Sequence, residues 1–338
     1  MGDWPTIGAA GSAADSQRAG ELLWSVMRTR PPAEGPSFLY RLVDAHLRGE
    51  PGSRRRPVVD ELLAAPPPEQ APRALLRHDV DSWSGMEQWQ QWESEMSLAG
   101  VYLLRAPLPE GARLADGGRA SYPTPPPDYD IEDGFVGELV SAGLERGCRF
   151  GLHYASAEPA AVRAECRRLR DALGLSGPLP ASSHWILSSG ATLAALDELG
   201  VSHDFSLMDF ESYAAEIPPG QPRRPGFLTG TTHPHLLWHP RRRRWLKLLA
   251  VPGALEENFV AGECPTKPEP ADVEGYLELF ARHRGVLVLN WHSERFDLVA
   301  HLQRLVDRLR ELGFAFITTA DLAAPAAPTA GSIPDPRG

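Results

Sequence analysis

The run Val286-Leu287-Val288-Leu289-Asn290-Trp291-His292 is almost wholly apolar and carries a titratable residue at its end. A stretch of this kind is buried on both faces, as the strands of a parallel sheet are, because crossover connections lay helices over both sides. In a second run, Leu75-Leu76-Arg77-His78-Asp79-Val80-Asp81, a short apolar lead-in runs straight into two carboxylates at alternate positions, as at the C-terminal end of a buried strand. Phe150-Gly151-Leu152-His153 repeats the pattern with an imidazole at its tip, and further strands are expected at 182–186, 201–205, 248–251 and 314–317.

Between these runs lie segments with apolar residues at helical spacing: 82–98, 131–146, 159–173, 191–199, 273–283 and 298–312. Strand and helix therefore alternate about six to eight times, which predicts a parallel α/β architecture. In barrels of this class the chemistry sits at the C-terminal ends of the strands. That is where Asp79, Asp81, His153 and His292 fall. Residues 1–70 read as a helical extension, with helices over 20–28 and 38–47 broken by Pro31, Pro32 and Pro36. The barrel is expected over 71–325 and a disordered tail over 326–338. The Pro- and Gly-rich stretch 107–130 reads as a long loop over one face, and 217–248 as irregular.

Composition excludes several classes. A formal net charge of −10 argues against nucleic acid as a partner, since phosphate neutralisation needs a basic surface. No apolar stretch is long enough to cross a membrane. Cys148, Cys166 and Cys264 are too few and too far apart for a disulfide framework or a cysteine zinc site, so a reducing, cytoplasmic setting is expected. No basic-then-apolar leader follows Met1, which fits the same setting. Oligomeric state is left open by the sequence.

One carboxylate and two neutral imidazoles are a common donor set for a catalytic divalent metal that keeps a position for water. A second, unligated carboxylate can accept a proton and an imidazolium on the far side can donate one. Hydrolysis of an amide or ester needs little else. On these residues the chain resembles the polysaccharide deacetylase superfamily (carbohydrate esterase family 4, the NodB-homology domain), in its divergent cytosolic branch. The resemblance spans roughly residues 74–322 and rests on Leu76-Arg77-His78-Asp79-Val80-Asp81, Gly151-Leu152-His153, Val201-Ser202-His203-Asp204-Phe205-Ser206, Gly226-Phe227-Leu228-Thr229-Gly230-Thr231 and Leu289-Asn290-Trp291-His292.

The resemblance implies a distorted (β/α)7-type barrel and one divalent metal, with zinc the expected ion. It implies Asp79 as catalytic base, His292 as catalytic acid, and Asp81 and His153 as ligands. The family's second ligating His falls on Ala157, so His184 is the candidate third ligand. The arginine that positions the base in the family is missing near Ser182 and Ser183, and Leu228 stands where the divergent branch carries Arg; Arg77 is the candidate replacement. Arg77, Trp185, Asp204 and Trp291 are assigned to substrate binding. The expected substrate is a saccharide or small acylated metabolite, deacylated at nitrogen. A non-catalytic glycan- or protein-binding barrel, or another metal-assisted C–N hydrolase, is the alternative.

Other residues have ordinary readings. Trp83, Trp89 and Trp92 fit core packing better than a sugar platform. His203 and Asp204 read as a hydrogen-bonded structural pair. His233, His235 and His239 read as surface loop residues, and Arg241–Arg244 as a solvated charge run.

Overall fold

The computed structural model describes residues 71–110, 126–156, 158–184, 190–206, 234–239, 244–251, 254–261, 273–274, 277–278, 280–281 and 284–322. The expected N-terminal extension, the tail, Ala157, Trp185, Leu228 and His233 lie outside the described residues, as does most of the loop 107–130.

Ten strands form one sheet. They are β1 (Arg73–Val80), β2 (Val101–Leu104), β3 (Arg149–Tyr154), β4 (Leu179–Ser183), β5 (Val201–Asp204), β6 (His235–His239), β7 (Arg244–Ala250), β8 (Ala254–Glu256), β9 (Val286–His292) and β10 (Ala315–Ile317). Their spatial order is β6-β7-β5-β4-β3-β2-β1-β9-β8, with β10 beside β1. All pairings are parallel except β6 with β7. This is the expected α/β sheet of the distorted barrel type, open between β8 and β6 among the described residues. β10 does not close it. It pairs with Arg73–Leu75 of β1, on the edge that β2 occupies from Arg77 to Val80.

Helices α1 (Met86–Glu95), α2 (Gly134–Glu145), α3 (Pro159–Leu173), α4 (Gly190–Glu198), the short α5 (Glu257–Val260) and α6 (Val299–Glu311) connect the strands. Their limits follow local chemistry. Asp133 caps α2 through a hydrogen bond from the Phe135 amide, so that helix begins three residues after the apolar signal at Ile131. Proline in the first turn opens α3, and Gly174, at φ 61°, closes it in the left-handed conformation that glycine adopts freely. Trp89 is fully buried and donates through Nε1 to the Ser293 carbonyl, 2.9 Å away, which bears out the core reading for that residue.

Two stretches depart from the sequence expectation. β4 begins at Leu179, upstream of the expected 182–186, because Leu179 and Ala181 fill the core although Gly177-Pro178-Leu179-Pro180 reads as a turn. Gly151 of β3 makes room for it: a Cβ there would lie 2.1 Å from the Pro180 carbonyl oxygen. His235, His239 and Arg244 belong to strands rather than an irregular segment, since β6 and β7 satisfy each other's backbone groups in an antiparallel pair.

Behind β1, on the face opposite Asp79, His78 is completely buried between two oxygens. Its Nε2 is 2.8 Å from Glu93 Oε1 and its Nδ1 is 3.1 Å from the Trp291 carbonyl. The other Glu93 oxygen accepts the Gly100 amide. This pair ties α1 to the sheet, and removing one member leaves the other's polar atoms buried without their partner. Glu93→Ala is expected to cost about 3–5 kcal/mol in denaturant unfolding. A loss below about 1 kcal/mol would show that the pair contributes only packing.

Glu165 on α3 accepts the Ala155 amide at the end of β3, and burial pushes its carboxyl up to about 8. Folding therefore favours the protonated acid. That contribution is complete below the ordinary carboxylate range and is lost as pH rises through about 8. Glu165→Gln keeps the acceptor. Its Tm is expected to gain on the wild type between about pH 5 and pH 9, and parallel curves would contradict the assignment.

Candidate metal and acid–base site

Parallel register assembles the site. Arg77, Asp79 and Asp81 share one face of β1 and its extension, because side chains alternate along a strand. In β9, Asn290 stands opposite Arg77 and His292 opposite Asp79. His153 is the penultimate residue of β3, and His184 follows β4 directly. Asp81, His153 and His184 each offer one donor atom, and the three atoms lie within 4.8 Å of one another. His153 Nε2 is 3.0 Å from His184 Nδ1, and Asp81 Oδ1 is 3.2 Å from the same His184 nitrogen.

The donor set suits a divalent cation, with two borderline nitrogens and one hard oxygen. Asp79 Oδ1, Asp81 Oδ1 and His153 Nδ1 are buried without a hydrogen-bond partner among the described residues, so the pocket holds acceptor capacity that the described protein groups do not use. The ring of charge is mostly closed. Side-chain exposure is 18% for Asp81 and 24% for His292, against 10% or less for Asp79, His153 and His184, so solvent meets the site at Asp81 and His292.

Electrostatics separates the roles. For Asp79, burial alone would raise the pKa, but Arg77, then His153 and His292, bring it below the usual carboxylate value. Arg77 Nη2 donates to Asp79 Oδ2 at 2.6 Å. Asp81 is likewise lowered against the effect of burial, through His184, His153 and His292. Burial takes His153 down to about 4, which leaves it a neutral imidazole near neutrality. His292 goes the other way. Burial would strip its proton, yet Glu257, followed by Asp81 and Asp79, holds its pKa well above the ordinary value. Its Nδ1 donates to Glu257 Oε1 at 2.6 Å, while Nε2 faces Asp81 Oδ2 at 3.9 Å.

Of the nine expected site residues, Asp79, Asp81, His153, His184 and His292 meet in this one pocket. Arg77 lies beside them, with its guanidinium occupied by Asp79, Asn290 and the Phe205 carbonyl. Trp291 points to the opposite face of β9 and is wholly buried in the core, because it alternates with Asn290 and His292. Asp204 is also wholly buried. It accepts the Ser206 amide and hydroxyl, and burial raises it to about 7. His203 bonds Ser202 and the Leu322 carbonyl rather than Asp204, since neighbours along β5 face opposite ways.

Glu257, Glu256 and Arg105 escaped the sequence reading. Arg105 Nη1 is 3.5 Å from Asp81 Oδ1. The two glutamates follow only the short apolar pair Ala254-Leu255. That pair is a faint copy of the apolar runs ending in titratable residues, and it looks like the first turn of a solvated helix.

No family model matches the sequence, and no curated protein matches it. Solved structures with a similar chain course include a putative polysaccharide deacetylase from Mycobacterium smegmatis (TM-score 0.45, 14% identity, covering 72% of this chain and 87% of that one). The chitin deacetylase of Colletotrichum lindemuthianum is similar at TM-score 0.44 and 11% identity, over 77% of this chain and 92% of that one. A mutant of a CE4 family pseudoenzyme is similar at TM-score 0.40 and 10% identity, over 78% and 72%.

Purified protein loaded with zinc is expected to lose most of its metal on Asp81→Ala or His153→Ala, with Tm-monitored folding retained because the core lies elsewhere. Full occupancy in both variants, measured by elemental analysis, would refute the ligand assignment.

Proposed function

We propose that the protein is a metal-dependent hydrolase that removes an acyl group, acetyl in the first instance, from the nitrogen of an amino sugar or other small acylated metabolite, in the cytosol. The observation that carries this reading is the pairing of Asp79 with His292 across β1 and β9, beside the Asp81–His153–His184 set. One strand register supplies an ionised carboxylate and a proton-bearing imidazole on the same side of the sheet.

Asp81, His153 and His184 would hold the ion. The chemistry a divalent ion held there would supply is polarisation of a carbonyl and acidification of water. Asp79, kept ionised by Arg77, accepts a proton at Oδ1, the oxygen not shared with the guanidinium. His292 is oriented by Glu257 through Nδ1, so its Nε2 hydrogen faces the site and passes to the departing nitrogen. Arg77 is the base's partner in place of the arginine that is missing near Ser182.

With metal bound, acetate release from a panel of N-acetylated amino sugars tests the reading. Asp79→Asn and His292→Ala are each expected to lower turnover by about 10²–10⁴-fold while metal content stays. A metal-loaded wild type that binds these sugars and releases no acyl group would instead favour a binding module. Loss of metal in His292→Ala would make that residue a ligand.

A further inference from the structure

Beneath the pair Asp79–His292 lies a second polar row, fixed by the same register. Arg77 of β1 stands opposite Asn290 of β9, and Asn290 stands opposite Glu256 of β8. The three side chains are joined end to end. Arg77 Nε donates to Asn290 Oδ1 at 2.9 Å, and Asn290 Nδ2 donates to Glu256 Oε1 at 3.0 Å. All are buried: Asn290 is 0% exposed, Arg77 3% and Glu256 6%. We infer that Asn290 and Glu256 are positioning residues that lock the Arg77 guanidinium in the orientation that presents Asp79 as base, an inference that rests on the hydrolase reading above.

The chemistry leaves one arrangement. A guanidinium has only donors, so the Asn290 atom facing it is the amide oxygen, and the amide nitrogen must then find an acceptor on the other side. Glu256 is that acceptor. With Nε held by Asn290 and Nη1 held by the Phe205 carbonyl at 3.1 Å, the remaining Nη2 is aimed at Asp79 Oδ2. Asp79 Oδ1 is left for the site.

The charge of the row matters as much as its geometry. Burial pushes Glu256 up to about 8, with Glu257 adding to the rise. A protonated Glu256 and an amide put no second anion beside Arg77, so its charge is not drawn away from Asp79. The neighbouring Glu257 faces His292 instead. Two consecutive residues at the β8–α5 junction thus support the base on one side and the acid on the other.

Four variants of the metal-loaded chain test this. Glu256→Leu and Asn290→Leu are each expected to lower kcat by about 10–100-fold with KM and metal content unchanged, since small displacements of a catalytic group cost on this scale. The double variant should be no worse than the weaker single one, because both break the same chain. Glu256→Gln keeps a neutral acceptor and should recover most of the turnover lost in Glu256→Leu. Leucine variants with wild-type kcat, additive losses, or no recovery with glutamine would overturn the proposal. If the leucine variants do not fold, Asn290→Ser and Glu256→Ala make the same comparison. Should the parent hydrolyse nothing, the hydrolase reading falls, and crystal structures still judge the row. The Arg77 guanidinium should leave Asp79 in the Asn290 variants and stay in Glu256→Gln; an unmoved Arg77 in both would refute the locking role.

Discussion

Taking a carboxylate or a protonated imidazole out of water costs several kcal/mol per ion, and the attraction of a partner repays this only when geometry and hydrogen bonds are good. The pocket of this protein gathers Asp79, Asp81, Glu257 and His292 together with Arg77 and two further histidines, most of them buried. Each ionised group has a counter-charge within about one contact. Arg77 serves Asp79 at 2.6 Å and Glu257 serves His292 at 2.6 Å. Asp81, the most open of the acids, faces Arg105 at 3.5 Å and His292 at 3.9 Å. This compensation lets the sheet carry a site at its strand ends without losing the core beneath it.

The same constraint explains the opposite side of β1. His78 alternates with Arg77 and Asp79, so it points into the layer beneath α1, where Glu93 and the Trp291 carbonyl receive it and Tyr102 stacks on it at 4.6 Å. Trp291 belongs to that layer for the same reason. β1 therefore works as a two-sided partition. One face carries the candidate site and the other fastens a helix.

Much of this was legible in the sequence, and what was not has a common cause. The apolar run at 286–292 and the apolar lead-in Leu75-Leu76 announce buried parallel strands, and their titratable ends announce the candidate site. The helix Pro159–Leu173 was readable to the residue from its proline, its apolar stripe and Gly174. β4 was displaced because Pro180 hides a strand that only the glycine at position 151 of its neighbour makes possible. Arg77 was a candidate partner for Asp79 from the sequence, but what holds its guanidinium was not legible, since Asn290 is 213 residues away in the chain. Glu256 and Glu257 gain meaning only from strand order, which sets them beside β9. Trp291 shows the limit of motif reading: adjacency to His292 in sequence means the opposite face in a strand.

The centre of the proposal is that Asp81, His153 and His184, from three strand ends, converge on one divalent ion. Anomalous diffraction at the zinc edge from crystals of the zinc-loaded protein tests it most directly. The account predicts one strong peak about 2.0–2.2 Å from an Asp81 oxygen and from one ring nitrogen each of His153 and His184. A dominant peak elsewhere, among His235 and His239 for example, with none between Asp81, His153 and His184, would contradict it.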